Sequence, residues 1–352
     1  MKAIALGLFA SFFFAFTFVL NRQMDLAGGS WIWSASLRYF FMLPMLAALL
    51  APRREMGPVL ADIRRRPLPW VLWSTVGFGM FYAPLTLAAA FGPSWLVAAS
   101  WQVTIVAGAL LSPLFLRGRA PGSAGGAESA GSAGSAGGAG GMEGGRLARH
   151  SRHAIPLRVL LFSGLILLGI ALIQLPGNAA AAASGSGGVG VGGIGAKTGG
   201  GPLLFVVIVL IAAFSYPLGN RKTMQFCDGA FTTMQRVFGM TLASMPFWLL
   251  LAALGLAAAG PPRPAQILQA FIVALSSGII ATLLFFRATD LVRGDLRRLA
   301  AVESTQAGEV LFTLAGSILV FGDRPPDAVG FAGLALVVGG MTMNSLLHGG
   351  GT

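Results

Sequence analysis

The chain has 352 residues, 55% hydrophobic and 10% charged, with a mean hydropathy of +0.76, which excludes an ordinary soluble domain and points to an all-α polytopic membrane protein. A formal net charge of +12 and a pI near 11.4 would suit nucleic acid only if the basic residues clustered on a soluble face, and here they sit in loops between apolar runs. Nucleic acid is excluded as a partner; membrane lipids are expected ones.

Ten apolar runs are long enough for helices across a hydrocarbon core: roughly 3–20, 31–51, 70–91, 94–116, 157–175, 202–219, 230–255, 266–286, 299–321 and 328–347. The first is read as a mature helix, because no small-residue cleavage site follows it. One alternate set of loops, with the N-terminus, holds seventeen Lys and Arg; the other holds Arg22, Lys197, Arg263 and Arg324. The positive-inside bias therefore predicts that both termini are cytoplasmic. Residues 1–116 form the first repeat's helices 1–4. A basic cytoplasmic Gly/Ala/Ser-rich loop (117–156), helix 5 (157–175), an external Gly-rich loop (176–201), helices 6–10 (202–347) and a tail (348–352) follow.

Both Gly-rich loops are expected to be disordered, since neither offsets its ordering entropy with apolar burial. Gly190, Gly192 and Gly195 mimic a phosphate loop but have no strand before them and Ala196 where glycine is needed. Trp31, Trp33, Trp70 and Trp73 open their runs, as interfacial anchors do. Trp101 lies inside the fourth run, where stacking on a flat ligand competes with a packing or lipid-facing role. Cys227 is read as a bystander in a short loop.

The halves repeat. Ala15 to Arg22 matches Ala213 to Arg221 with one inserted residue, which pairs Asn21-Arg22 with Asn220-Arg221. The next run of each half carries R-x-F-x-M, as Arg38-Phe40-Met42 and Arg236-Phe238-Met240. A weaker match sets Ala98 to Gln102 against Ala300 to Gln306, making Gln102 the counterpart of Gln306. Five runs per half is an odd number, so the second copy is inverted, the architecture of secondary transporters. The Asn-Arg pairs are then expected to cap opposite membrane faces as gate candidates.

The ninth run carries two glutamates, Glu303 and Glu309. At about 1.5 Å per residue, Glu309 falls about 15 Å into a core about 30 Å thick. A carboxyl there is expected to face the interior, to be neutralised, or both. Glu303 is expected to pair with Arg236, and Arg38 to reach Glu309 or an anionic group of the substrate. The alternatives are packing ion pairs for the acids, snorkelling for the arginines and plain helix-to-helix bonding for Gln102, Gln306, Asn21 and Asn220.

Residues Ser11 to Arg22, Gly28 to Arg38, Ala83 to Gln102 and Glu303 to Asp323 carry a resemblance to the drug/metabolite transporter superfamily. The match is to its ten-helix EamA-like type, in the bacterial branch of multidrug resistance efflux transporters. The resemblance implies two four-helix bundles around a central cavity, helices 5 and 10 at the periphery, and export of small organic molecules by alternating access. Four-helix relatives use a glutamate of their first helix for proton exchange. The first run here has no acid, so Glu309 takes that place on physical grounds.

The reading is a secondary active transporter that exports a small amphipathic or cationic compound or metabolite, with protons as candidate coupling ion. A proton-independent facilitator and a membrane sensor or scaffold are the alternatives. The three histidines, His150, His153 and His348, lie in a loop or at the chain end, and no nucleophile-base or metal-ligand constellation appears. No cofactor, no metal and no enzyme activity are expected. Substrate identity and oligomeric state are left open by the sequence.

Overall fold

The computed structural model describes residues 2–116, 157–173, 201–292, 298, 301–302 and 304–348, which are helical with short turns. Both Gly-rich stretches, residues 117–156 and 174–200, lie outside the described residues, as does Glu303. Helices α1 (Lys2–Leu26) and α2 (Trp31–Leu50) lead into a short amphipathic α3 (Met56–Arg65). Then come α4 (Pro67–Ser74) and α5 (Met80–Ala88), continuous through a π-helical stretch at Thr75–Gly79. Next are α6 (Ser94–Trp101), α7 (Val103–Leu116) and α8 (Leu157–Ile173). The second half has α9 (Gly201–Cys227), α10 (Thr233–Ala243) and α11 (Met245–Ala259). It continues with α12 (Pro264–Val273) and α13 (Ala281–Asp290), joined by a second π-helical stretch at Ala274–Ile280, then α14 (Ala307–Phe321) and α15 (Ala328–His348).

Among the described residues five helical stretches are long and apolar enough to cross a membrane: Lys2–Leu26, Trp31–Arg53, Pro67–Ala88, Leu203–Cys227 and Pro264–Thr289. The α10–α11 pair, bent by 43°, makes a sixth if it is one span. Pro246 in the first turn of α11 accounts for the bend, because proline cannot donate the backbone bond that would carry α10 onward. Shorter apolar helices at Ser94–Gly108, Leu161–Ile173, Ala307–Phe321 and Ala328–Met343 fall on the remaining apolar runs.

Equivalent helices of the two halves run in opposite directions. Along α2 and α11, Trp33 Nε1 donates to the Gly260 carbonyl at 2.9 Å and, further in, Tyr39 stacks on Trp248 at 4.3 Å. Residue numbers rise on one helix as they fall on the other. The same holds for α8 against α15, where Ile173 meets Gly333 and Ile166 meets Gly340. Contacts between the halves are matched as well. Helix α1 packs on α13 and α14, while α9 packs on α5 and α7.

Several expectations are corrected. The ninth run is not one continuous helix: it breaks at Thr305 and Gln306, and α14 begins only at Ala307. Ser304 Oγ and Thr305 Oγ1 donate to the carbonyls of Ala301 and Val302 at 2.9 and 2.6 Å, local bonds that compete with a straight helix. The fourth run breaks at Gln102, between α6 and α7. Trp70 is not an interfacial anchor but fully buried, with Nε1 donating to Asp62 at 2.8 Å. Asp62 also holds Arg66 and so joins α3 to the start of α4. Helices α1 and α9 run on past their apolar stretches to Leu26 and Cys227, so Asn21-Arg22 and Asn220-Arg221 lie within them. Cys227 is the buried last residue of α9, not a loop residue.

Candidate functional site

A partly open cavity lies between the halves. Its walls come from equivalent helices of the two halves. Arg38, Tyr39 and Met42 of α2 face it with Arg236, Val237 and Met240 of α10. Phe78 of the first π-helical stretch faces it with Ser277 and Gly278 of the second, and Phe14 of α1 with Tyr216 of α9. The methionines of the repeated motif mark the symmetry. A Cβ on Gly278 would meet Met42 Sδ at 2.8 Å, and one on Gly77 would meet Met240 Cε at 3.0 Å. Each half thus seats its methionine on a glycine of the other half's π-helical stretch, a distortion that recurs at functional sites.

The closest backbone approach lies beside the cavity, where a Cβ on Gly219 would fall 2.2 Å from Gly77 N. Gly219 is the residue inserted in the repeat between Leu218 and Asn220. Only glycine lets α9 come this near to the helix formed by α4 and α5.

Arg38 is 9% exposed and lies over Tyr82, with Cζ 4.1 Å from the ring centroid. The Tyr82 hydroxyl accepts from Asn21 Nδ2 at 3.2 Å, which fixes the ring. Among the described residues no acceptor faces the Arg38 guanidinium, and its Nε is sealed without a partner. Arg236 also lines the cavity, with Asn220 and Thr233. It is set there by the reciprocal cap of α10, in which Thr232 Oγ1 accepts from Gln235 N and Gln235 Oε1 accepts from Thr232 N.

Glu309 is 3% exposed and sits in the first turn of α14, where helix α14 packs on α1 and α6. It is not among the residues lining the cavity. Arg38 is the cation whose field reaches it, but no ion pair joins them.

Of the other sequence candidates among the described residues, only Asn220 lines the cavity. Trp101 stands behind the wall, packed on the lining rings of Phe81 and Tyr216 at 4.9 and 5.9 Å. Gln102 donates back to the Ala98 carbonyl of its own helix at 3.3 Å, and Gln306 caps α14, so the matched glutamines mark the two breaks. Arg22 is held by the Ala89 carbonyl at 3.0 Å and Asp25 at 3.3 Å, away from the cavity. Arg221 is half-buried on α9. The expected pair of Glu303 with Arg236 lies outside the described residues.

Sequence reasoning missed Tyr39, Phe81, Tyr82 and Tyr216. Tyr39 follows Arg38 directly, and Tyr216 lies four residues before Asn220, one turn of helix; that spacing was the available signal. Among the described residues no group of His, Cys, Asp and Glu could hold a metal ion.

A family model described as EmrE, "Putative multidrug resistance efflux transporter", matches residues 1–349, and the chain belongs to this family. It is 48% identical over 347 residues to the "Uncharacterized protein YjlA" of Bacillus subtilis (strain 168), covering 98% of this chain and 94% of that one. It is 44% identical over 310 residues to an "Uncharacterized 42.1 kDa protein in intracellular alkaline protease 3'region" of Shouchella clausii, covering 88% and 70%. A crystal structure at 18% identity superposes with a TM-score of 0.53 over 98% of this chain and 97% of the other, a likeness of fold alone. The chain is therefore a multi-pass protein of the bacterial plasma membrane, from a transporter family.

Proposed function

We propose that the chain is a secondary active transporter that exports small organic molecules by alternating access, with the cavity between the halves as substrate site and Glu309 as the group that carries the coupled proton. The observation that carries this reading is the paired construction of the cavity. A site built from equivalent elements of two inverted copies can open toward either face by the same rocking motion, because each copy offers the other the same hinge. The two π-helical stretches and the two breaks at Gln102 and Gln306 supply matched places where the backbone can bend.

In this scheme Arg38 and Arg236 both face the cavity, and Arg38 changes partners between Glu309 and the substrate as the halves move. The test is a metabolite-export and growth-inhibition panel in cells, followed by flux in proteoliposomes under a pH gradient, comparing wild type with Glu309→Gln. Gradient-driven export is expected in the wild type and not in the variant. A variant that responds to the gradient at the wild-type rate removes Glu309 from the mechanism. The position of Glu309 outside the cavity lining favours a second reading, a proton-independent facilitator, for which flux ignores the gradient in both proteins.

A further inference from the structure

We infer that the substrate is an organic anion, a carboxylate carried on an apolar or aromatic body, and that Arg38 binds its carboxylate. This rests on the reading of the cavity as the substrate site. The lining contains arginine but no aspartate or glutamate among the described residues. A permanently charged guanidinium is costly in a low-dielectric interior unless an acceptor or counter-charge meets it. Arg38 meets neither: it donates no hydrogen bond among the described residues, and the acid in whose neighbourhood it lies, Glu309, is not in ion-pair contact. The Tyr82 face offsets only part of that cost.

What the guanidinium lacks is an anion with a planar pair of oxygens. A carboxylate supplies that pair, and arginine's fork binds it by two parallel bonds. The remaining walls set the body of the molecule. Phe14, Phe78, Phe81 and Phe286 offer apolar faces, and Ser277 and Thr282 add small hydroxyls. A compact inorganic anion would leave those rings uncovered, and an organic cation would meet arginine with no acid beside it in the lining.

The test is equilibrium binding of radiolabelled phenylacetate to the full chain in detergent micelles, which reads the site without flux. Phenylacetate is expected to bind and to be displaced by benzoate, but not by a hundredfold excess of benzyltrimethylammonium. Arg38→Gln is expected to weaken binding by about tenfold or more, and Arg38→Lys to restore part of it, since charge returns without the fork. Should either variant fail to fold, the arginine reagent phenylglyoxal on the wild type gives the same answer, with phenylacetate slowing modification of Arg38 as read by mass spectrometry. The inference is overturned if phenylacetate does not bind, if the cation displaces it equally, if Arg38→Gln binds as the wild type does, or if Arg38 is not protected. Binding without transport of any compound leaves the anion site standing and removes the transporter reading. Export of cations or neutral compounds without anion binding does the reverse.

Discussion

At matched positions the first half carries Arg38 and Met42 and the second Arg236 and Met240, and each methionine ends against a glycine in the other half's π-helical stretch. The residues around that frame differ. Arg38 is followed by Tyr39, which stacks on Trp248, whereas Arg236 is followed by Val237. By the match of Gln102 with Gln306, the counterpart of Glu309 is Ile105, which is buried and apolar. Gly219 has no counterpart at all. The bends, the methionine seats and the two arginines are kept in both copies, while the acid Glu309 and the tightest contact, at Gly219, belong to one. The shared set is the moving scaffold, and the unshared set makes the two halves chemically unlike.

The largest expected effect breaks the comparison at its most asymmetric point. Gly219→Leu drives a side chain into the backbone of Gly77 and the Trp73 carbonyl, neither of which can swing aside. No monodisperse folded protein is expected by size exclusion. Gly164→Ala is the control: its Cβ meets nothing within 4 Å, and exchanging a helical glycine for alanine should be neutral or stabilising by about 0.5–1 kcal/mol.

Next in size is a test of the symmetric pair. Met42→Ala and Met240→Ala each empty a buried contact of the same kind, so each should cost about 2–5 kcal/mol. The two costs should agree within about 1 kcal/mol in chemical unfolding of the micellar protein. Unequal costs would mean that the matched contacts do not do matched work.

The smallest structural effect is expected at Glu309. Exchanging its carboxyl for an amide of the same shape keeps the packing of α14, so Glu309→Gln should shift the thermal midpoint by no more than about 4 °C. Differential scanning of both proteins checks this. A much larger shift would make Glu309 a structural group and remove the reason to read its flux defect as mechanistic.

Much of the frame was legible because it is written in composition and repetition. Lipid selects uninterrupted apolar runs, and the repeated R-x-F-x-M motif and Asn-Arg pairs betray the duplication. The breaks at Gln102 and Thr305–Gln306 were not legible, because an amide or hydroxyl that bonds to its own turn looks like any polar residue in an apolar run. Trp70 was misread for a related reason: a tryptophan near the end of a run looks like an interfacial anchor until Asp62 is seen to take its N–H. In the site, Arg38, Arg236 and Asn220 were found from their repeat positions. The aromatic wall was not, since phenylalanine and tyrosine in a chain this apolar carry no signal of which face they occupy.

The central claim, that the cavity between the inverted halves opens alternately to either side, is tested most directly by accessibility. In a Cys227→Ala background, Ser277→Cys and Asn220→Cys place one thiol each on the cavity wall, to be labelled with a membrane-impermeant maleimide in right-side-out and inside-out vesicles. Both thiols are expected to react from both faces. Reaction of either thiol from one face alone, or from neither, would contradict it.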